Sequence, residues 1–325
     1  MGDLLLRVKD LYTHFYTFEG TVKALDGISL ELKRAETLGL VGETGCGKSV
    51  TALSILGLIP CPPGKVEAAE IWFDGVDLLK LDKEEMRAIR GKKIAMIFQE
   101  PATALNPVFP VGEQTAEIIR IHKQVSKREG MQKAVEMFHL VGIPDPDRVS
   151  KKYPHELSGG MNQRVMIAAK LSSNPALLVA DEPTTALDVT VQAQILQLMK
   201  GLVQRFRTAV IFITHDLGVV AEICDRVAVM YAGVIVESSK TRVLFENPRH
   251  PYTRSLLQAI PKLVERIDRL PVISGTVPSL INPPSGCRFH PRCSLADSPC
   301  KVEKPSPTSV EAEHWVSCFR YDQGD

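Results

Sequence analysis

The 325-residue chain has no apolar run near the roughly 18 residues that a membrane-spanning helix requires. Its opening, MGDLLLRVKD, lacks the apolar centre of a secretory signal, so the chain is expected to be made in the cytosol and to stay there. An excess of either charge is also missing. With 39 Lys and Arg against 38 Asp and Glu, the net charge of +1 provides no global field to recruit nucleic acid or anionic lipid. The seven cysteines contain no C-x-x-C pair, which argues against a zinc knuckle.

What is present suits a soluble globular protein: 44% hydrophobic and 24% charged residues, in a chain long enough for two domains. Short apolar runs recur at Leu38–Val41, Ile94–Phe98, Leu177–Ala180, Val210–Thr214 and Val227–Tyr231. Unbroken apolarity, rather than alternation, suits parallel strands covered on both faces, and the helical patterns between them predict an α/β doubly wound core. From about 101 to 174 the strand signal disappears, and Val135, Met137, Phe138 and Val141 fall at helical spacing. This predicts a helical insertion that splits the core. From about 246 to 325 prolines crowd in, which predicts a boundary near 245 followed by a loop-rich extension.

Gly42-Glu-Thr-Gly-Cys-Gly-Lys48-Ser49 matches the phosphate-loop pattern G-x-x-x-x-G-K-[ST]. It follows the strand Leu38–Val41 and opens a helix predicted over Ser49–Leu58, which Pro60 is expected to end. In such a loop Gly42, Glu43, Thr44, Gly45, Cys46, Gly47, Lys48, Ser49 and Val50 surround the phosphates of ATP. Inward-turned N–H groups and the positive helix end attract the anion, Lys48 neutralises it, and the Ser49 hydroxyl ligates Mg²⁺. Leu177–Glu182 (LLVADE) is an apolar run that ends in two carboxylates. Alone it would read as a strand followed by a helix cap. Beside a phosphate loop, Asp181 reads as a Mg²⁺ ligand and Glu182 as the general base that polarises water.

Leu157-Ser-Gly-Gly-Met161, followed by Gln163 and Arg164, resembles the LSGGQ signature of ABC transporter ATPases, with Met in place of the usual Gln. The resemblance covers residues 1 to about 245 and implies a P-loop (RecA-like) ABC nucleotide-binding domain, an α/β fold with a helical insertion. It further implies that Ser158, Gly159 and Gly160 face the γ-phosphate held by an opposing cassette. By the same resemblance Gln99 contacts Mg²⁺ and senses the transporter, His215 contacts the γ-phosphate, and Ala186-Leu187-Asp188 crosses the dimer interface. Phe15 takes the place of the aromatic that stacks on adenine. Tyr12 and Tyr16 compete for that role, and a buried core aromatic is the alternative.

One phosphate loop and one signature make half a machine, so the resemblance implies a second cassette as partner, either a copy of this chain or a relative. It also implies two membrane permease subunits, an indirect extracytoplasmic solute-binding protein, no nucleic acid, and a place on the cytoplasmic face of the membrane. ABC-type ATPases of translation usually carry two cassettes, and those of repair carry long coiled coils; this chain has neither. Glu100–Val108 and Asn247-Pro-Arg-His-Pro-Tyr-Thr253 resemble segments of the peptide and nickel importer branch. Uptake of di- and oligopeptides is therefore expected, with nickel or another small solute as the alternative.

Cys287, Cys293, Cys300 and Cys318 crowd the C-terminal extension. In a reducing cytosol such a cluster suits metal better than disulfides. Four thiolates on an irregular loop suit a [4Fe–4S] cluster, as the resemblance to cluster-bearing dipeptide transporter ATPases also implies; zinc is the alternative. Arg288, Arg292, Lys301 and Arg320 are expected to offset the thiolate charge. The other reading of such a cluster, an electron carrier with an ATPase attached, lacks a second redox motif.

Overall fold

The computed structural model describes residues 3–99, 104–185, 187–259 and 273–321. Strands β1 (Leu4–Thr17), β2 (Gly20–Lys33) and β3 (Thr37–Val41) lead to α1 (Lys48–Ile55), β4 (Gly64–Glu67), β5 (Glu70–Phe73) and β6 (Val76–Asp77). Next come α2 (Lys83–Ile89), β7 (Ile94–Ile97), α3 (Val111–Lys123), α4 (Lys127–Leu140), α5 (Pro146–Val149), α6 (Gly159–Leu171) and β8 (Leu177–Asp181). Then follow α7 (Val189–Phe206), β9 (Ala209–Thr214), α8 (Leu217–Ile223), β10 (Arg226–Tyr231), β11 (Val234–Lys240) and α9 (Thr241–Glu246). The C-terminal part holds α10 (Pro251–Gln258), α11 (Ser298–Val302), β12 (Thr308–Glu311) and β13 (His314–Val316). Among the described residues no helix is long and apolar enough to cross a membrane. The chain divides into two compact units, one of Met1–Leu32, Thr37–Leu79 and Ile213–Asp325, the other of Lys33–Glu36 and Lys80–Phe212.

In the first unit an antiparallel sheet runs β2-β1-β5-β6, with β4 also paired to β1. The apolar-run pattern does not reveal this sheet, because its strands alternate. Ile28, Leu30 and Leu32 are buried while Ser29, Glu31 and Lys33 are exposed, which puts one face of β2 in the core. Beside it, β3 runs parallel to β10 with Val41 opposite Val229, and both strands are almost wholly buried. β10 pairs antiparallel with β11, β11 with β13, and β13 with β12.

The helix after the phosphate loop stops earlier than the sequence predicts. Gly57 adopts φ 60°, its N–H reaches the Ser54 carbonyl at 3.0 Å, and the Leu58 N–H reaches the Leu53 carbonyl at 2.8 Å. This is a Schellman cap, so a left-handed glycine ends α1, and Pro60 lies beyond the break.

The C-terminal extension, expected to be loop-rich, contributes the hairpin β12–β13 and is fastened at two places. Glu237 on β11 has a fully buried carboxylate that accepts the backbone N–H groups of Arg249 (2.7 Å) and His250 (2.9 Å) and pairs with His314 Nε2 (2.8 Å). Tyr231 on β10 meets Tyr252 and Phe289 edge-on, with ring centroids 4.7 and 5.1 Å away. Such aromatic pairs add about 1 kcal/mol each beyond simple burial.

In the second unit, which holds β9 as far as Phe212, β9, β8 and β7 lie side by side, with β7 parallel to β8. Every residue of these three strands is buried, as expected for apolar runs covered on both faces. Helices α3, α4 and α6 pack on one another, with Ala116, Ile119 and Ala134 in a shared core, and α6 packs against β7. The predicted helix around Val135–Val141 is α4, opened by a capping box between Ser126 and Glu129.

Candidate functional site

The phosphate loop lies in the first unit, between the end of β3 and α1. Two of its glycines are required by space as well as by backbone. Gly42 has φ 153°, and a Cβ there would overlap the Met230 carbonyl oxygen. Gly47, at the N-cap of α1, has φ 103°, and a Cβ would come within 2.9 Å of the Ala24 carbonyl oxygen. The loop closes around Lys48, which is 6% exposed and donates to the carbonyls of Gly42 (2.8 Å) and Glu43 (3.1 Å). Thr44 and Gly45 are exposed, and Ser49 and Val50 occupy the first turn of α1, where backbone N–H groups have no helical partner. Cys46 is fully buried, and burial raises its thiol pKa although the Lys48 ammonium opposes the shift. It is a protonated spacer within the loop.

Phe15 and His215 belong to the same unit. Phe15 pairs across β1–β4 with Gly64, and its ring lies over that glycine, half-buried. Its rivals Tyr12 and Tyr16 are 37% and 54% exposed. His215 is exposed just beyond β9, and Asp216 after it caps α8 through the N–H groups of Gly218 (2.8 Å) and Val219 (3.3 Å).

The second unit brings together Gln99, Asp181 and Glu182. Asp181 ends β8 and is buried. Glu182 follows in a left-handed conformation, φ 43°, which is unusual and costly for a residue with a side chain. Its Oε2 accepts Gln99 Nε2 at 3.2 Å and Thr185 Oγ1 at 2.9 Å. Thr185 was not predicted for the site; its place three residues after Glu182 is its only sequence signal. Ser158 caps α6, accepting the Met161 N–H at 3.3 Å, and Ser158 and Gly159 are exposed. A Cβ on Gly160 would come within 2.8 Å of Val191 Cγ1, so this glycine lets α6 and α7 approach. Asp188 caps α7 by accepting the Val191 N–H at 3.0 Å. Ala186 and the segment 100–103 lie outside the described residues.

In the extension, Cys287, Cys293, Cys300 and Cys318 line one cavity of about 20 Å³, with Phe289, His290 and Arg320 beside them. Burial pushes the Cys287 thiol up to about 11, and the thiols of Cys293 and Cys318 are also raised by burial. Among the described residues no three His, Cys, Asp or Glu side chains converge closely enough to hold a single metal ion. The arginines divide differently from the sequence expectation. Arg320 opposes, without overcoming, the rise that burial imposes on the Cys293 and Cys318 thiols, but Arg288 binds Asp26 at 2.8 Å and Arg292 binds Glu43 at 2.6 Å. These last two serve partly buried carboxylates distant in sequence, which a count of nearby charges does not reveal.

The family pattern described as "ABC transporter" matches residues 25–185, and that described as "Oligopeptide/dipeptide transporter, C-terminal region" matches residues 236–300. A protein of Sinorhizobium fredii named "Probable peptide ABC transporter ATP-binding protein" is 53% identical over 99% of this chain and 96% of its own length. Two Bacillus subtilis proteins are each 48% identical over 98% of this chain: an oligopeptide transport ATP-binding protein (97% of its length) and a dipeptide transport ATP-binding protein (95%). Among solved structures, a dimeric ATP-binding cassette in a post-hydrolysis state with ADP and phosphate aligns with TM-score 0.65 and 29% identity, covering 73% of this chain and 99% of that one.

Proposed function

This chain belongs to the ABC transporter family as the ATPase subunit of a peptide importer, and from that premise we propose how its residues divide the work. The loop from Gly42 to Val50 cradles the ATP phosphates, with Lys48 turning from its own loop carbonyls to the β- and γ-phosphates. Phe15 stacks on adenine and His215 contacts the γ-phosphate. Ser49, Asp181 and Gln99 supply the oxygen donors that suit magnesium, a hard cation. When bound, that ion would neutralise the negative charge that develops on the phosphates.

Glu182 is the general base. The observation that carries this reading is its fixed carboxylate: Gln99 and Thr185 each donate to Oε2, and the left-handed backbone sets the direction of the side chain. An orientation held before the reaction need not be found during it, and a positioned base is worth about 10²–10⁴-fold in rate. Ser158, Gly159 and Gly160 at the start of α6 complete the γ-phosphate site of a second cassette, packed head to tail, and Leu187 and Asp188 line that interface. The second cassette is a copy of this chain or a related chain. Helices α3 and α4 carry the motion to permease subunits on the cytoplasmic face of the membrane.

Di- and oligopeptides are the transported solutes. The match of residues 236–300 to the oligopeptide/dipeptide extension supports this more than any feature of the nucleotide site. The test is uptake of labelled di- and tripeptides, and of nickel, in source cells carrying intact protein or Glu182→Gln. Loss of peptide uptake alone supports the reading. Unchanged peptide uptake with a fall in nickel uptake overturns it.

Cys287, Cys293, Cys300 and Cys318 hold a [4Fe–4S] cluster in this reading. What supports this reading is that the four thiols line one cavity and are the donor type such a cluster takes, although among the described residues no three metal-ligating side chains stand close enough together to hold a metal ion. Burial holds the thiols of Cys287, Cys293 and Cys318 protonated, so their protons leave as a cluster binds and loading falls at low pH.

A further inference from the structure

The segment that carries the cysteines reaches the phosphate loop from outside. Arg292, immediately before Cys293, makes a bidentate pair with Glu43: Nη1 to Oε2 at 2.6 Å and Nη2 to Oε1 at 3.1 Å. The Arg292 side chain is only 5% exposed and has no slack, since Nε donates to the Ser274 carbonyl at 2.9 Å and Nη2 to the Ile273 carbonyl at 3.2 Å. Its guanidinium lies over the Tyr231 ring, 5.7 Å from the centroid. Glu43 is gripped a second time, because its backbone N–H donates to the buried hydroxyl of Tyr252 at 3.0 Å. Farther along the loop, the Cys46 carbonyl accepts the Gly233 N–H at 2.9 Å, and the preceding Ala232 carbonyl accepts Nη1 of Arg288, the neighbour of Cys287.

We propose that Arg292 is a positioning residue for ATP binding, holding the phosphate loop in its receptive shape and cancelling the charge of Glu43. This rests on the nucleotide reading of residues 42–50. A carboxylate in a loop that must receive a polyanion opposes binding unless its charge is offset. A fork-shaped guanidinium fixes both oxygens of that carboxylate, which a flexible ammonium does less well. Tyr252 fixes the adjoining peptide by committing the Glu43 N–H, and the Glu43 carbonyl in turn accepts the Cys46 N–H at 3.3 Å, which holds the turn of the loop. The extension is thus part of the nucleotide site, not an appendage to it.

The experiment measures affinity for a fluorescent ATP analogue with the purified full-length chain, and ATPase KM and kcat in the assembled transporter. Arg292→Gln should weaken binding and raise KM about tenfold, the size of one charge-assisted contact, with kcat within about threefold. Adding Glu43→Gln to that variant should restore affinity to within about threefold, because removing both partners leaves no unpaired carboxylate in the loop. Arg292→Lys should fall between. Tyr252→Phe deletes one hydroxyl without disturbing the aromatic packing, and a loss of about threefold in affinity is expected even if Arg292→Gln folds poorly. Unchanged affinity in Arg292→Gln, or equal weakness in the single and double variants, overturns the proposal. Failure of the unaltered chain to bind ATP would instead sink the nucleotide reading beneath it.

Discussion

Gln99 donates Nε2 to Glu182 Oε2 at 3.2 Å, joining the second residue after β7 to the carboxylate after β8. These strands are parallel neighbours, with Ile97 opposite Ala180, so the sheet itself delivers the two side chains to one end. Ligand-binding groups commonly gather at the carboxyl ends of parallel strands, because the chain leaves the sheet there as loops. Glu182→Gln should therefore keep ATP binding while lowering kcat by at least about 10²-fold, measured as phosphate release with the transporter assembled. Gln99→Ala should lower kcat by about tenfold, since the carboxylate keeps Thr185 but loses the Gln99 donor. Normal turnover in Glu182→Gln would remove Glu182 from the mechanism.

Lys48→Ala should abolish detectable ATP binding in equilibrium titration. The ammonium is almost fully buried inside its loop and is the only side-chain cation that the loop residues 42–50 carry. The variant loses the bonds to the Gly42 and Glu43 carbonyls that shape the loop, and with them the phosphate contact proposed for this ammonium. Affinity within tenfold of the unaltered chain would contradict this role.

Gly42→Ala should be as damaging to binding while adding no charge. A methyl group there overlaps the Met230 carbonyl on β10, and the positive φ is unfavourable for alanine. A stability loss of about 1–3 kcal/mol in denaturant unfolding is expected, together with loss of nucleotide binding.

Acid should loosen the attachment of the C-terminal extension. His250 is buried at the start of α10, its Nδ1 accepts the Tyr252 N–H at 3.1 Å, and burial lowers its pKa to about 3. A folded-state value below the unfolded 6.5 means that the stabilisation is complete above pH 6.5 and is lost as pH falls below it, by roughly 1.4 kcal/mol per pH unit. Urea unfolding between pH 7.5 and 5 should show this slope, and His250→Asn, which keeps an acceptor without a titrating ring, should reduce it. An unchanged slope in that variant would assign the acid sensitivity elsewhere.

Protein purified without oxygen should carry about four iron atoms and four acid-labile sulfides per chain. Serine at Cys287 or Cys300 should remove most of both, assayed by metal analysis and visible absorbance. Stoichiometric zinc without sulfide would replace the cluster with the alternative metal.

Much of this protein is local in origin and therefore readable from the chain. Buried parallel strands need unbroken apolar runs, so β3, β7, β8, β9 and β10 stand out within a residue or two of their ends. A phosphate loop needs glycines and a lysine at set intervals in one short segment, and a carboxylate pair after an apolar strand is also local. The alternating β1 and β2 carry a weaker signal, since half of each strand faces solvent. Helix α1 ends before the proline that the chain offers as a stop, because the left-handed Gly57 acts before Pro60 can.

The pairing of Arg292 with Glu43 spans 249 positions, and that of Gln99 with Glu182 spans 83. No spacing rule relates such residues, because the packing of separate elements decides which charge meets which. Arginines beside four cysteines are predicted to serve the thiols, and only the fold turns Arg288 and Arg292 toward carboxylates instead. The left-handed backbone of Glu182 is likewise a tertiary outcome, since an isolated glutamate avoids it and surrounding structure must impose it. Residue type and local spacing thus determined the chemistry this chain can perform. Long-range packing decided which side chains hold that chemistry in place, because the free energy that orients them comes from contacts between segments far apart in sequence.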